Sequence, residues 1–334
     1  MIRDRLERRW YSPAPAPLAL RPLAALYGAI ADRLAGRRKA AAVRLPVPVV
    51  VVGNISVGGT GKTPLTLWLI GQARALGFTP GVISRGYGGR AADGPLRVTK
   101  DTDAAACGDE PALIARRAGV PVAVAPDRIA AARLLLERDG VDLLIADDGL
   151  QHYRLGRDLE LCVVDGARGL GNGARLPAGP LREPASRLAT VDAVIVNGGL
   201  ARPLPAQGRP QLAMRLEIRQ AVNLVSGERR PLAAFAGQPV HAVAGIGHPP
   251  RFFAALEAAG LAVTAHPFAD HHRHTAADLA FGDVRPVLMT EKDAVKCAPF
   301  AAAHWWTVPA DAVFAEADAA HVRKLLSSLS RKTP

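Results

Sequence analysis

Apolar residues in this chain gather in short runs of two kinds, which take turns along its first two hundred positions. Val49-Val50-Val51-Val52 is an unbroken apolar stretch, the habit of a strand buried on both faces of a parallel sheet. Val82-Ile83-Ser84, Val120 to Ala125, Leu143-Leu144-Ile145-Ala146, Leu161 to Asp165 and Ala193 to Asn197 belong to the same kind. Between them, residues 64–76, 112–118 and 128–138 carry apolar positions at helical spacing. Strands alternating with helices predict a parallel sheet with helices on both faces.

The texture changes after Asn197. Pro and Gly cluster over 198–210, and residues 211–230 alternate around Ser226-Gly227, which predicts a hairpin. A second α/β run follows, with a strand over 241–244, a helix over 251–259 and a strand over 287–290. The pattern predicts two α/β/α sandwich domains with mostly parallel sheets, at 46–210 and 231–334, joined by a hairpin linker at 211–230. A chain of 334 residues is long enough for two such cores. With 49% hydrophobic and 22% charged residues, its composition excludes a disordered chain. Cys107, Cys162 and Cys297 are odd in number and lack metal-ligand spacing, which suits a reducing cytosol.

Charge sets residues 1–45 apart. They hold ten Lys and Arg against three acids, a net +7 out of the chain's +12. Between the basic clusters, Leu23, Leu26, Tyr27, Ile30 and Leu34 recur at helical spacing. The run is broken by Arg21 and Pro22 and falls short of the roughly 20 apolar residues that span a bilayer. A charged start without a small-residue cleavage site also argues against a signal peptide. Two readings remain: a basic amphipathic helix lying on an anionic membrane, or a helix packed on the protein's own core. No recognition motif or aromatic–basic interleaving points to nucleic acid.

Candidate chemistry begins where the valine run ends. Ser56-Val57-Gly58-Gly59-Thr60-Gly61-Lys62-Thr63 joins the predicted strand to a helix opened by Pro64. Backbone N–H groups of such a loop cradle phosphates, the lysine reaches the outer phosphates and the threonine hydroxyl holds Mg²⁺. The strict pattern has glycine where this chain has Ser56. Asp147-Asp148 ends an apolar strand, where a carboxylate can position that Mg²⁺; the other reading is a pair of turn formers before Gly149. Asp109, in Gly108-Asp109-Glu110-Pro111, suits either a helix cap or the base that accepts a hydroxyl proton.

Asp270-His271-His272-Arg273-His274, with His266 upstream, is a histidine-rich patch. Adjacent histidines without a nearby cysteine fit zinc less well than they fit one proton-handling histidine. Gly245-Ile246-Gly247 lacks the third glycine of a dinucleotide loop and is followed by Pro249-Pro250.

Together these motifs resemble the tetraacyldisaccharide 4′-kinases, the lipid A kinases of Gram-negative bacteria, over nearly the whole chain. The resemblance rests on residues 51–64, Ser84-Arg85-Gly86-Tyr87-Gly88-Gly89, 108–111, Asp147-Asp148-Gly149-Leu150-Gln151-His152-Tyr153, 171–173, 176–183, 244–253, 269–271 and 289–297. Ser56 belongs to that family's version of the loop. The resemblance implies transfer of the ATP γ-phosphate to the 4′-hydroxyl of a tetraacyldisaccharide 1-phosphate, giving lipid IVA, at the inner face of the inner membrane. It implies Asp109 as base paired with His271, and Thr63, Asp147 and Asp148 serving Mg²⁺. Residues 56–63 would hold ATP, while Arg85, Tyr87, Arg128, Gln151 and Arg182 would contact substrate or phosphate. The N-terminal segment becomes a membrane-docking element, and nothing demands more than a monomer. Asp109 and His271 lie on either side of the linker, which predicts a cleft that closes on ATP and brings them together.

Overall fold

The computed structural model describes residues 2–12, 14–89 and 94–329. Among these, nine strands form a large sheet: β1 (Val49–Gly53), β2 (Pro80–Ser84), β3 (Leu96–Val98), β4 (Val122–Val124), β5 (Leu143–Asp147), β6 (Leu159–Asp165), β7 (Ala193–Asn197), β8 (Gln211–Ile218) and, from the far end of the chain, β15 (Ala310–Phe314). Six more form a small sheet: β9 (Gln220–Asn223), β10 (Arg229–Pro231), β11 (Pro239–Ala244), β12 (Ala262–Pro267), β13 (Val287–Thr290) and β14 (Trp305–Val308). The helices are α1 (Ile2–Trp10), α2 (Arg21–Ala40), α3 (Lys62–Ala75), α4 (Ala104–Cys107), α5 (Asp109–Ala118), α6 (Arg128–Asp139), α7 (Pro249–Ala258), α8 (Glu291–Cys297) and α9 (Glu316–Ser327).

The large sheet runs β15-β8-β7-β6-β1-β5-β2-β4-β3 and is parallel except at its edge strands, β3 and β15. Strand β1 lies at its centre, between β5 and β6. Val50 and Val52 face a core that includes Leu65 and Leu69 of α3, while Val49 and Val51 face one that includes Ile129 and Leu135 of α6. Both faces are covered, so the valine run has no polar alternation. The chain leaves β1 for β2 on the β5 side and reaches β6 on the other, which opens a crevice at the carboxyl end of β1.

The small sheet runs β10-β9-β14-β13-β11-β12, parallel from β14 to β12 and antiparallel at β9 and β10. Two expectations are corrected here. The alternation over 211–230 does not form one hairpin: β8 pairs with β7 in the large sheet, and only β9 and β10 pair with each other. The chain's end also returns to the large sheet, where β15 covers the open edge of β8 and α9 adds Val322 and Leu326 to its core. An uncovered β8 would expose unpaired N–H and C=O groups, and Phe314 completes the seal with its ring 4.6 Å from that of Trp68.

Helix α2 exposes Leu23, Leu26, Ile30 and Leu34, at 42 to 59%. Its inner side is fixed: Arg175 pairs with both carboxylate oxygens of Asp32 at 3.0 Å and crosses Gly28, and the Tyr27 hydroxyl donates to Arg182 O. No helix among the described residues is long and apolar enough to cross a membrane. The side chains of Arg3, Asp4 and Arg5 lie outside the described ones.

Gly53 ends β1 where Leu150 presses on it; a methyl group there would sit 2.5 Å from Leu150 Cβ and 2.9 Å from its N. Gly53→Ala is expected to cost about 1–3 kcal/mol through overpacking. An unchanged denaturant midpoint would contradict this packing.

Candidate active site

The loop after β1 is shaped by close partners on every side. Gly58 and Gly61 hold φ of 102° and 99°, a region costly for residues with a Cβ. Asn54 is buried; its carbonyl accepts from Gln151 Nε2 at 2.8 Å. Val57 N donates to Pro180 O at 2.9 Å and Arg182 N to Ile55 O at 2.7 Å, so residues 180–182 run alongside the loop. At the loop's end, Asn197 Nδ2 donates to Thr60 O at 2.9 Å from the end of β7.

Asp147 and Asp148 stand beside this loop at the end of β5. The Asp147 carboxylate is buried and accepts from Thr66 Oγ1 at 2.9 Å. Burial, then the adjacent Asp148 charge, push its carboxyl up to about 6. Asp148 occupies the left-handed region at φ 50°. Lys62 Nζ lies 3.5 Å from its Oδ1 and Arg182 Nη1 3.7 Å from its Oδ2. Burial alone would raise this carboxyl; Lys62, Arg182 and Arg128 outweigh it and hold it below the usual range. Its Oδ1 is buried and has no hydrogen bond closer than the 3.5 Å ion pair with Lys62. Two acids at one strand end, one resisting ionisation and one with an oxygen held only by that long contact, are a donor set suited to a hard cation such as Mg²⁺.

Arg128 is buried at the start of α6, donates to Ala125 O at 3.2 Å and is lowered to about 10 by burial. Gln151 Oε1 lies 3.4 Å from Arg182 Nη1. Arg85 is exposed and lies near enough to Arg128 to disfavour its charge.

The second group of expected residues meets across the two sheets. His271 Nδ1 lies 3.0 Å from Asp109 Oδ2, although 162 positions separate them. Asp109 is the first residue of α5 and Gly108 is its cap, so the carboxylate is not used in capping. Gly108, at φ 92°, lets the Tyr87 carbonyl come within 2.5 Å of where a Cβ would stand. The Tyr87 ring is 5.5 Å from that of His271. His271 sits at φ 61°; its bond to Asp109 raises its imidazole above the ordinary value, with burial opposing.

Helix α8 brings this pair together. Lys296 Nζ lies 3.6 Å from Asp109 Oδ2 and 3.1 Å from Asp293 Oδ1, Lys292 pairs with Glu110, and Glu291 pairs with Arg117 at 2.8 Å. Burial would raise Glu110, but the Lys292 charge holds it down at about 2. Asp293 is fully buried and also accepts from Gly245 N at 2.9 Å, from Thr290 Oγ1 at 2.6 Å and from His274 Nε2 at 2.9 Å.

The other histidines have different surroundings. His272 lies 3.3 Å from Asp278, and His266 turns away to His241 at 2.9 Å. His272, His274 and Asp278 bring possible metal-ligand atoms within 4.8 Å of one another. Asp278, however, is engaged by Thr275 in a capping box, and His274 by Asp293. Gly245-Ile246-Gly247 abuts the phosphate-type loop itself, since a Cβ on Gly247 would lie 3.1 Å from Gly59 N.

Thr66, Asn197, Arg168 and Lys296 hold this site together and escaped the reading of the sequence. Lys296 lies within the 289–297 motif and Arg168 follows Asp165 at the end of β6, so motif membership was the available signal for one and strand-end position for the other.

A glycine loop that joins the central parallel strand to a helix, its lysine facing carboxylates on the neighbouring strand, defines a protein of the P-loop class. The family model for LpxK, tetraacyldisaccharide-1-P 4′-kinase, matches residues 16–330, and the chain belongs to that family. It is 56% identical over 316 residues to a tetraacyldisaccharide 4′-kinase of Pseudomonas aeruginosa, covering 93% of each chain. It is 52% identical over 336 residues to that of Azotobacter vinelandii, covering 98% of this chain and 99% of the relative. A crystal structure of LpxK from Aquifex aeolicus in complex with ATP superposes with a TM-score of 0.77 at 27% identity, over 92% of this chain and 97% of the other.

The hydrogen bond to Asp109 favours the protonated imidazole of His271 in the folded protein. A base whose folded pKa lies above its unfolded one contributes stability that is complete below the unfolded value and lost as pH rises through the folded value. NMR titration is therefore expected to place the His271 imidazole above about 6.5 and return it toward that value in Asp109→Asn. Equal midpoints in the two proteins would contradict the pairing.

Proposed function

We propose that this chain is an ATP-dependent kinase that phosphorylates the 4′-hydroxyl of a tetraacyldisaccharide 1-phosphate, giving lipid IVA and ADP. The observation that carries this reading is the Asp109–His271 pair at 3.0 Å, built from both sheets beside a phosphate-type loop. A P-loop that only hydrolyses nucleotide has no need for a carboxylate–imidazole pair to accept a hydroxyl proton.

In this reading residues 56–63 cradle the ATP phosphates through their N–H groups and Lys62 faces the outer ones. A sugar hydroxyl does not ionise at neutral pH. Asp109 therefore accepts its proton as the new O–P bond forms, and His271 orients the carboxylate and shares the proton. Thr63, Asp147 and Asp148 would hold Mg²⁺, which when bound neutralises charge on the phosphate oxygens. Arg182, drawn to Asp148, and the buried Arg128 supply further positive charge, while Gln151, Arg85 and Tyr87 contact substrate or phosphate.

The exposed leucines of α2 support docking on a membrane surface, peripheral or monotopic, and in this reading that surface is the cytoplasmic face of the inner membrane and the enzyme is a monomer. Basic residues in the last turn of α2, Arg37, Arg38 and Lys39, suit anionic headgroups. This arrangement lets the lipid acceptor reach the site without leaving the bilayer surface.

The test is incubation with γ-labelled ATP, Mg²⁺ and tetraacyldisaccharide 1-phosphate in detergent. Label is expected in the lipid, and Asp109→Ala is expected to lower its rate about 100- to 10,000-fold. Label released only as inorganic phosphate, indifferent to the lipid, would contradict the reading. A triple change of Leu23, Leu26 and Ile30 to Ser is expected to abolish sedimentation with anionic phospholipid vesicles while sparing detergent activity. Unchanged sedimentation would place the docking surface elsewhere.

A further inference from the structure

Arg168, just past the end of β6, packs against the phosphate-type loop. A Cβ on Gly58 would lie 3.3 Å from its Nη1, so the guanidinium rests on the first glycine of the loop. Its Nη2 donates to Gly247 O at 3.3 Å, across to the small sheet, and its plane lies over the Tyr11 ring at 5.0 Å. Tyr11 in turn donates its hydroxyl to Val57 O at 3.1 Å, which ties the same aromatic ring to the loop.

The aim of this side chain is built in. Asp165, at the end of β6, accepts from the N–H groups of Ala167 and Arg168, both at 3.1 Å, and so sets the turn that points Arg168 at the loop. What the position lacks is a counter-charge. Among the described residues no carboxylate lies within ion-pair distance of the Arg168 guanidinium, whereas its neighbour Arg251 pairs with Asp165 at 3.4 Å. A partly buried, pre-aimed arginine without an acid, set against backbone that cradles phosphate, is a site for an anion.

We propose that Arg168 is a catalytic residue, an arginine finger supplied in cis that contacts the transferring phosphoryl group. The O–P bond to ADP breaks as the bond to the acceptor oxygen forms, and the hydroxyl proton passes to the Asp109 carboxylate. Arg168 gives up no proton. It donates N–H bonds to phosphoryl oxygens whose charge is redistributed in the transition state. Its bond to Gly247 makes the placement of the finger depend on the small sheet, so docking of the two sheets and completion of the phosphate site are one event.

The inference rests on the proposed kinase activity, and the readouts separate the two. Turnover is followed as ADP release, which reports on Arg168 whether phosphate ends on lipid or in water; label in the lipid reports on the acceptor. Arg168→Ala is expected to lower kcat for ADP release by about 100-fold or more. Its affinity for a non-hydrolysable ATP analogue, by equilibrium dialysis, is expected to stay within about threefold of wild type, because the contact tightens in the transition state. Arg168→Lys keeps a positive charge but loses the fork, and is expected to fall about tenfold with an unchanged melting temperature. Should the alanine variant misfold, the lysine variant decides alone. A wild-type kcat in either folded variant overturns the proposal, as does a loss of analogue affinity as large as the loss of turnover.

Discussion

Helix α8 lies against α5 through opposite charges on their facing sides, and this junction fixes how far apart the two sheets hold their functional groups. Lys292 on Glu110 and Lys296 near Asp109 hold one short helix to the first turn of another, and Glu291 on Arg117 holds it to the last. Partly buried pairs of this kind cost desolvation, so they are weak evidence for net stability. Their value here is registration. The same helix holds Asp293, which gathers Gly245 N, Thr290 and His274 and so ties the loop that carries His271 to the end of β11.

A second constraint acts at the carboxyl end of β5. Two successive carboxylates cannot both be buried and ionised without compensation. The chain answers with Lys62, Arg182 and Arg128 around Asp148 and with the Thr66 hydroxyl on Asp147. This balance is incomplete, since Asp147 still resists ionisation and one oxygen of Asp148 has only the long contact with Lys62. A bound cation would supply the aspartates with a partner of opposite charge, and nucleotide phosphates would do so for Lys62 and the arginines. The loop, the aspartates and the arginines therefore behave as one electrostatic unit.

Much of this was legible in the sequence because it is local. Val49 to Val52 has no alternation since both faces of β1 are covered, and the glycine loop follows it directly. Asp147 and Asp148 end an apolar run, so their place at a strand end could be read without a partner. The return of β15 and α9 to the large sheet could not, because strand order across a sheet leaves no trace in the strand itself. Strand β8 misled for a related reason. Its exposed Gln211, Ala213 and Arg215 alternate with buried Leu212 and Met214, as in a hairpin, yet its partners are β7 and β15. Lys296 and Arg168 remained unassigned because each acts through a neighbour distant in sequence, Asp109 in one case and Gly58 in the other.

The central claim is that Asp109 and His271 act as a unit assembled by the docking of the two sheets. A double-mutant cycle on kcat at one pH, with Asp109→Ala, His271→Ala and both together, addresses it most directly. Residues that act as a unit are strongly non-additive, so the double variant is predicted to lose about as much as the more damaging single change. Losses that multiply in the double variant would show two independent groups and contradict the account.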